Sequence, residues 1–238
     1  MRSALNWITI AALWTAGAQS VWAQDGPRGH WSGAVDVPNQ SLAMELDLDK
    51  GPNGWIGSLT IPTQNATGIP LDSIAFTNGK WTFHIKSAPG DPTFTGTLSA
   101  DGKTLSGDFT QGPGSFPFKF SRTGDPKVET EKASPALDKK FLGNWEGTLE
   151  GPGLRLVLRM SNESGAGKAV LVSLDQDNVE IPVSTITQKD SKLTLVVKMV
   201  GGQYEAEINP EGSELSGTWT QGGNGLPLKL KKAEAKKP

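Results

Sequence analysis

Cysteine is absent from the 238 residues, which excludes disulfide stapling, thiolate nucleophiles and cysteine-ligated metals. Histidine is scarce: with only His30 and His84, Ser-His-Asp chemistry would have to recruit one of the two. No G-x-S-x-G elbow occurs, and no serine precedes a lysine by three positions. A strong excess of charge is also missing, with 23 basic against 25 acidic side chains. A surface so nearly neutral argues against nucleic acid, because phosphate binding rests on clustered positive charge. Beyond residue 23 no apolar run approaches the roughly 18 residues that span a bilayer, so no transmembrane segment is expected in the mature chain.

The first 23 residues differ from the rest. One basic residue, Arg2, precedes an uncharged stretch from Ser3 to Gln24, and Val21-Trp22-Ala23 stands before Gln24-Asp25. Small or aliphatic residues at −3 and −1 describe a secretory signal cut after Ala23, with an uncleaved anchor as the rival reading. Loss of Arg2 with that signal leaves 22 basic against 25 acidic groups, a balance of −3. The expected location is exported, periplasmic or extracellular.

What is present is a repetition. The first half reads GHWSG, SLAMELDL, TFTGTLSADGKTLSGDFTQG and FPFKF, and the second GNWEG, GLRLVLRM, QYEAEINPEGSELSGTWTQG and LPLKL. Trp31 answers Trp145, Pro70 answers Pro182, Phe94 answers Tyr204, and Thr110-Gln111-Gly112 answers Thr220-Gln221-Gly222. A nearly constant offset between so many landmarks predicts two copies of one unit. Within each copy apolar residues alternate with polar ones, as in a strand with one buried face. Leu42, Met44, Leu46 and Leu48 share a face against Glu45 and Asp47, and Trp81, Phe83 and Ile85 against Thr82 and His84. Turn signals such as Asn78-Gly79 and Asp101-Gly102 separate about eight strands per copy. Consecutive hairpins of that number close most simply into a barrel, which removes exposed edges.

The predicted fold is therefore all-β, two tandem up-and-down barrels of about eight antiparallel strands each. The expected boundaries are a signal peptide over 1–23, a first barrel over 29–122 and a charged, exposed linker over 123–140. A second barrel over 141–232 and a lysine-rich tail over 233–238 complete the chain. Strand seven carries Gly107 and Gly217 between large inward residues, where glycine permits tight coiling or leaves room for a ring.

Gly29-His30-Trp31 and Gly143-Asn144-Trp145 contain the G-x-W that opens the first strand of lipocalin-type barrels. In those barrels a basic residue after the last strand packs over the tryptophan, a part available to Arg122 and to Lys229, Lys231 or Lys232. Ile181-Pro182, Gly217-Thr218-Trp219-Thr220-Gln221-Gly222 and Leu226-Pro227-Leu228 carry a more specific likeness. With them the whole copy resembles the lipocalin-like extracytoplasmic β-domain found before secreted bacterial α/β-hydrolase domains and as standalone proteins. That resemblance implies a domain companion rather than an established activity.

Two functions are expected to compete. The first is an exported, non-enzymatic barrel protein that binds a small apolar or amphipathic ligand, without a cofactor. Trp81, Phe83, Phe94 and Phe118 would line the first cavity, and Leu156, Leu195, Tyr204, Trp219 and Leu228 the second. Gln111 and Gln221 would orient a ligand at the rims, unless they only bond loop backbone. The second is a structural or interaction module that docks onto a secreted hydrolase or an envelope protein. Neither histidine is expected to be catalytic. Asp47, Asp49 and Asn53, like Asp175, Asp177 and Asn178, hint at calcium loops but lack the required ligand spacing, and turn formation accounts for them.

Overall fold

The computed structural model describes residues 26–233; the signal peptide expected over 1–23 and nearly all of the lysine-rich tail lie outside them. Eight strands form the first unit: β1 (Gly29–Val37), β2 (Gln40–Gly51), β3 (Gly54–Ile61), β4 (Ala66–Thr77), β5 (Lys80–Ile85), β6 (Thr93–Leu98), β7 (Thr104–Gln111) and β8 (Gly114–Gly124). Each pairs antiparallel with the next and β1 also pairs with β8, so the sheet closes. Alternation explains the closure, since Met44, Leu46 and Leu48 of β2 are buried inside while Glu45 and Asp47 face out. Both central residues of the Asn78-Gly79 turn have positive φ, 52° and 75°, the geometry a two-residue hairpin needs.

The second unit comprises β9 (Ser134–Pro135), β10 (Gly143–Leu149), β11 (Leu154–Glu163), β12 (Ala166–Ser173), β13 (Val179–Pro182), β14 (Thr185–Lys189), β15 (Lys192–Val197), β16 (Gly202–Ile208), β17 (Glu214–Gln221) and β18 (Asn224–Lys232). Its sheet runs from β13 through β10 and β18 to β14, a nearly closed barrel. The two ends of that sheet are successive stretches of one strand, interrupted at Val183–Ser184. In the first barrel β4 does the same work without interruption: Pro70 pairs with Ser58 on β3, and Leu71 already pairs with Ile85 on β5. Here Pro182 pairs with Val170 on β12 and Thr185 with Val196 on β15. The repeated Ile-Pro thus marks the corner where one strand changes partners, a place that tolerates a residue with no N–H to donate.

The sequence between the barrels is less of a linker than its charge suggests. Leu137 and Phe141 are buried in the second core. β9 lies in the slot between β12 and β14: Pro135 and Ser134 pair with Ala166 and Gly167, and the Ile186 amide donates to Ser134 Oγ at 2.9 Å. Asn162 holds Leu137 from both sides, accepting from its N–H at 2.8 Å and donating to its carbonyl at 2.9 Å. Residues 134–141 therefore belong to the second barrel, which corrects the linker expected over 123–140. The expectation failed because two buried apolar side chains spread among lysines and aspartates carry no period.

One end of each barrel is closed by a repeated device. Trp31 Nε1 donates to the Pro27 carbonyl at 2.9 Å, and Trp145 Nε1 to that of Phe141 at 2.8 Å. The Arg122 guanidinium lies 4.5 Å from the Trp31 ring centre and donates to the carbonyls of Arg28, Gly26 and Gly102. Lys232, rather than Lys229 or Lys231, takes this place over Trp145 and donates to the Lys140 carbonyl.

Candidate functional site

Barrel interiors follow from which face of each strand is apolar. In the first barrel Trp81, Phe83, Phe94 and Phe118 are all buried and touch one another. Phe83 stacks on Trp81 and Phe94 with ring centres 4.9 and 4.6 Å apart, and Phe118 meets Trp81 and Phe94 edge-on at 5.5 and 5.4 Å. Such separations are those of rings in contact. The Trp81 indole N–H is buried there without a protein acceptor.

In the second barrel Leu156, Leu195, Tyr204, Trp219 and Leu228 are likewise buried, within one aliphatic core. The Tyr204 hydroxyl donates toward the carbonyls of Leu228 and Leu215, on the next two strands of the sheet, at 3.0 and 3.3 Å. Burial, with a smaller contribution from Glu214, pushes its pKa above the usual tyrosine range. The space among Leu158, Leu171, Val183, Tyr204 and Trp219 amounts to about 10 Å³. That is room for about one water molecule. Inward side chains occupy this interior.

Both rim glutamines bond loop backbone. Gln111 Nε2 donates to the Pro89 carbonyl at 3.0 Å and Gln221 Nε2 to that of Val200 at 2.8 Å, while Gln221 Oε1 accepts from Trp219 Nε1. Each therefore ties the β7–β8 or β17–β18 turn to the facing loop.

Asp47 accepts from His30 Nδ1 at 2.9 Å and from the Lys127 amide at 2.8 Å. Near His84, Asp91 Oδ1 and Thr93 Oγ1 both approach the same ring nitrogen, Nδ1, at 2.9 and 3.2 Å. A triad needs carboxylate and hydroxyl on opposite nitrogens. Asp49 is taken by Arg28 at 2.7 Å. Asp175 is paired with Arg155, whose hydrogen bonds hold its carboxyl below the usual carboxylate range. No cluster of three or more His, Asp or Glu side chains suited to a metal occurs among the described residues, and no helix among them is long and apolar enough to cross a membrane.

Open space lies outside the interiors: two shallow grooves of about 440 and 450 Å³, one along Lys192, Thr194, Glu205 and Glu207 and one beside Lys103, Arg122 and Asp125, and two clefts between the barrels. The corner residues Ile69 and Pro70 of β4 face Val170, Pro182 and Val183 of the second barrel across a cleft of about 270 Å³, with Met199 beside them. Lys86, Glu131, Glu163 and Lys168 line it as well, and Lys86 is paired with Glu131 at 2.7 Å. Val183 is shared between the cleft and the second interior, because it sits at the break between β13 and β14. A second cleft, also about 270 Å³, lies between Asn65 and Thr67 on one side and Gly201, Thr220 and Gln221 on the other. Between the two clefts Lys198 Nζ reaches across to Glu129 at 2.7 Å and to the Gly68 carbonyl at 3.2 Å. Alternation in the sequence singled out inward residues and passed over this cleft. Its one sequence signal is the repeated Ile-Pro, which places a corner of each barrel at the shared boundary.

No family model and no curated protein matches the chain. Among solved structures, a protein of unknown function from the DUF3598 family of Nostoc punctiforme aligns over 89% of this chain and 98% of its own, at 11% identity and a TM-score of 0.24. Holo-PhuS, a heme-binding protein from Pseudomonas aeruginosa, aligns over 91% and 80% at 10% identity and a TM-score of 0.17. Scores this low assign neither a fold family nor a ligand.

Proposed function

We propose that the protein is an exported, non-enzymatic tandem-barrel protein that binds a small amphipathic ligand, and that the ligand sits in the cleft between the barrels. The observation that carries this is the contrast in free space. The second interior offers about 10 Å³, whereas the cleft offers about 270 Å³ with an apolar floor and a charged rim. That volume falls just below the roughly 300 Å³ at which pockets for drug-sized ligands begin. Native mass spectrometry of protein purified from its exported compartment tests the reading. A discrete extra mass, lost on denaturation and reduced by Met199→Asp, is the expected result. A bare chain that also fails to take up any member of a panel of fatty acids, amines and amino acids would count against it.

A second reading is favoured by the same filled interiors: a module whose surface, not its cavity, does the work by docking onto a secreted hydrolase or an envelope protein. Cross-linking in the exported compartment followed by mass spectrometry tests it. Recovery of one stoichiometric partner supports this reading, and recovery of the monomer alone removes it.

A further inference from the structure

Four charged side chains around the inter-barrel cleft narrow the chemistry of its occupant. Lys86 and Glu131 neutralise one another across 2.7 Å. Lys168 on β12 and Glu163 at the end of β11 also line the cleft, and neither has an ion-pair partner among the described residues. The Glu163 carboxylate accepts only a 3.4 Å hydrogen bond from the Ser161 hydroxyl. The rim therefore offers one uncompensated cation and one uncompensated anion. Val170, Val183 and Met199 supply the apolar floor.

We infer that the cleft takes a small zwitterion with an apolar side chain, an apolar amino acid or dipeptide, with its carboxylate at Lys168 and its ammonium at Glu163. This inference rests on the cleft being the binding site. A fatty acid would answer Lys168 and leave Glu163 facing apolar chain; an alkylamine would do the reverse. A zwitterion satisfies both, and its side chain displaces water from the floor. The volume of about 270 Å³ suits one or two residues and excludes a long peptide.

Isothermal titration of the full chain at low salt, with leucine, leucyl-leucine, octanoate and hexylamine, decides the matter. Leucine or leucyl-leucine is expected to bind about fivefold more tightly than octanoate or hexylamine, since each of the latter forgoes one of two rim charges worth up to about 1 kcal/mol. Lys168→Glu should weaken the zwitterion about fivefold or more, and the exchange Lys168→Glu with Glu163→Lys should restore it to within about twofold, since the two opposite charges are then again present. Rescue by the exchange separates recognition from any loss of folding. Octanoate or hexylamine binding as tightly as leucyl-leucine, or an unchanged affinity in Lys168→Glu, would overturn the zwitterion while leaving a cleft-binding protein in place. If all four ligands and the wider panel fail to bind, both readings fall.

Discussion

A single hydrogen-sized side chain sets how closely two strands approach at Gly217. A β-carbon built there would run into the Glu205 carbonyl oxygen and lie 2.6 Å from Ala206 Cα, and Gly107 stands in the same way against Thr95 and Gly96. The neighbours are backbone, so nothing can rotate away. Room for an aromatic ring, one of the two readings open from the sequence, is not what this glycine provides. Gly217→Ala is expected to cost about 1–3 kcal/mol as overpacking, read as a lower urea midpoint. Gly212→Ala is its control: that position has positive φ and open space, so its cost should be backbone strain of about 1 kcal/mol. Equal midpoints for Gly217→Ala and the wild type would refute the steric account.

Tyr204 makes a second residue-scale case, because its hydroxyl serves two carbonyls inside the second core. Tyr204→Phe is expected to cost about 1 kcal/mol. Its folded pKa is raised above the unfolded value near 10, so the folded state holds the proton more tightly. Stability from this group is fully present below about pH 10 and is lost as pH rises above it. Urea titrations between pH 8 and pH 11 should show the wild type losing stability at the alkaline end, and Tyr204→Phe losing less.

At the scale of elements, the strap over residues 134–141 completes the second barrel. Leu137→Ala removes a buried side chain and is expected to cost about 2–5 kcal/mol. Asn162→Ala leaves the Leu137 amide and carbonyl unpaired in a part-buried place and should destabilise by about 1–3 kcal/mol. Both losses should appear as faster amide exchange in β12 and β14, with the first barrel unaffected, since the two cores share no residue. Uniform exchange through both barrels would contradict this. Strands such as β2 and β15 were legible in the sequence because every second residue is buried, and that rule is local. The strap was not, since its ties are distant in sequence: Leu137 is held by Asn162, 25 residues on, and Ser134 meets Ile186, 52 residues on. The ligand candidates show the same division. Alternation says that Phe83 and Leu195 face inward, but whether the inside is empty depends on rings and branched side chains meeting across strands, which no local pattern records.

For the whole molecule, apolar corners and polar ties meet between the barrels. Lys198, whose side chain is 19% exposed, ties the second barrel to Glu129 of the connecting segment and to the Gly68 carbonyl of the first barrel, and Gly201 packs against the Gln64 and Asn65 carbonyls beside it. Glu129 is more exposed, so the pair contributes at most about 1 kcal/mol to stability. A tie this weak can still set an angle, because each barrel carries its own core and needs no support from the other. Lys198→Met is therefore expected to lower neither thermal transition by more than about 8 °C, the most that about 1 kcal/mol can do in a barrel of this size. The same substitution should broaden the distribution of distances between spin labels placed on the two barrels. The cleft walls come from opposite sides of this tie, Ile69 and Pro70 from one barrel and Val170 and Val183 from the other. Its ligand affinity should consequently fall about threefold or more in Lys198→Met, although Lys198 does not line it, because a wall free to swing loses pre-organisation. An unaltered distance distribution accompanied by unaltered affinity would show instead that the apolar corner contacts alone hold the barrels in place.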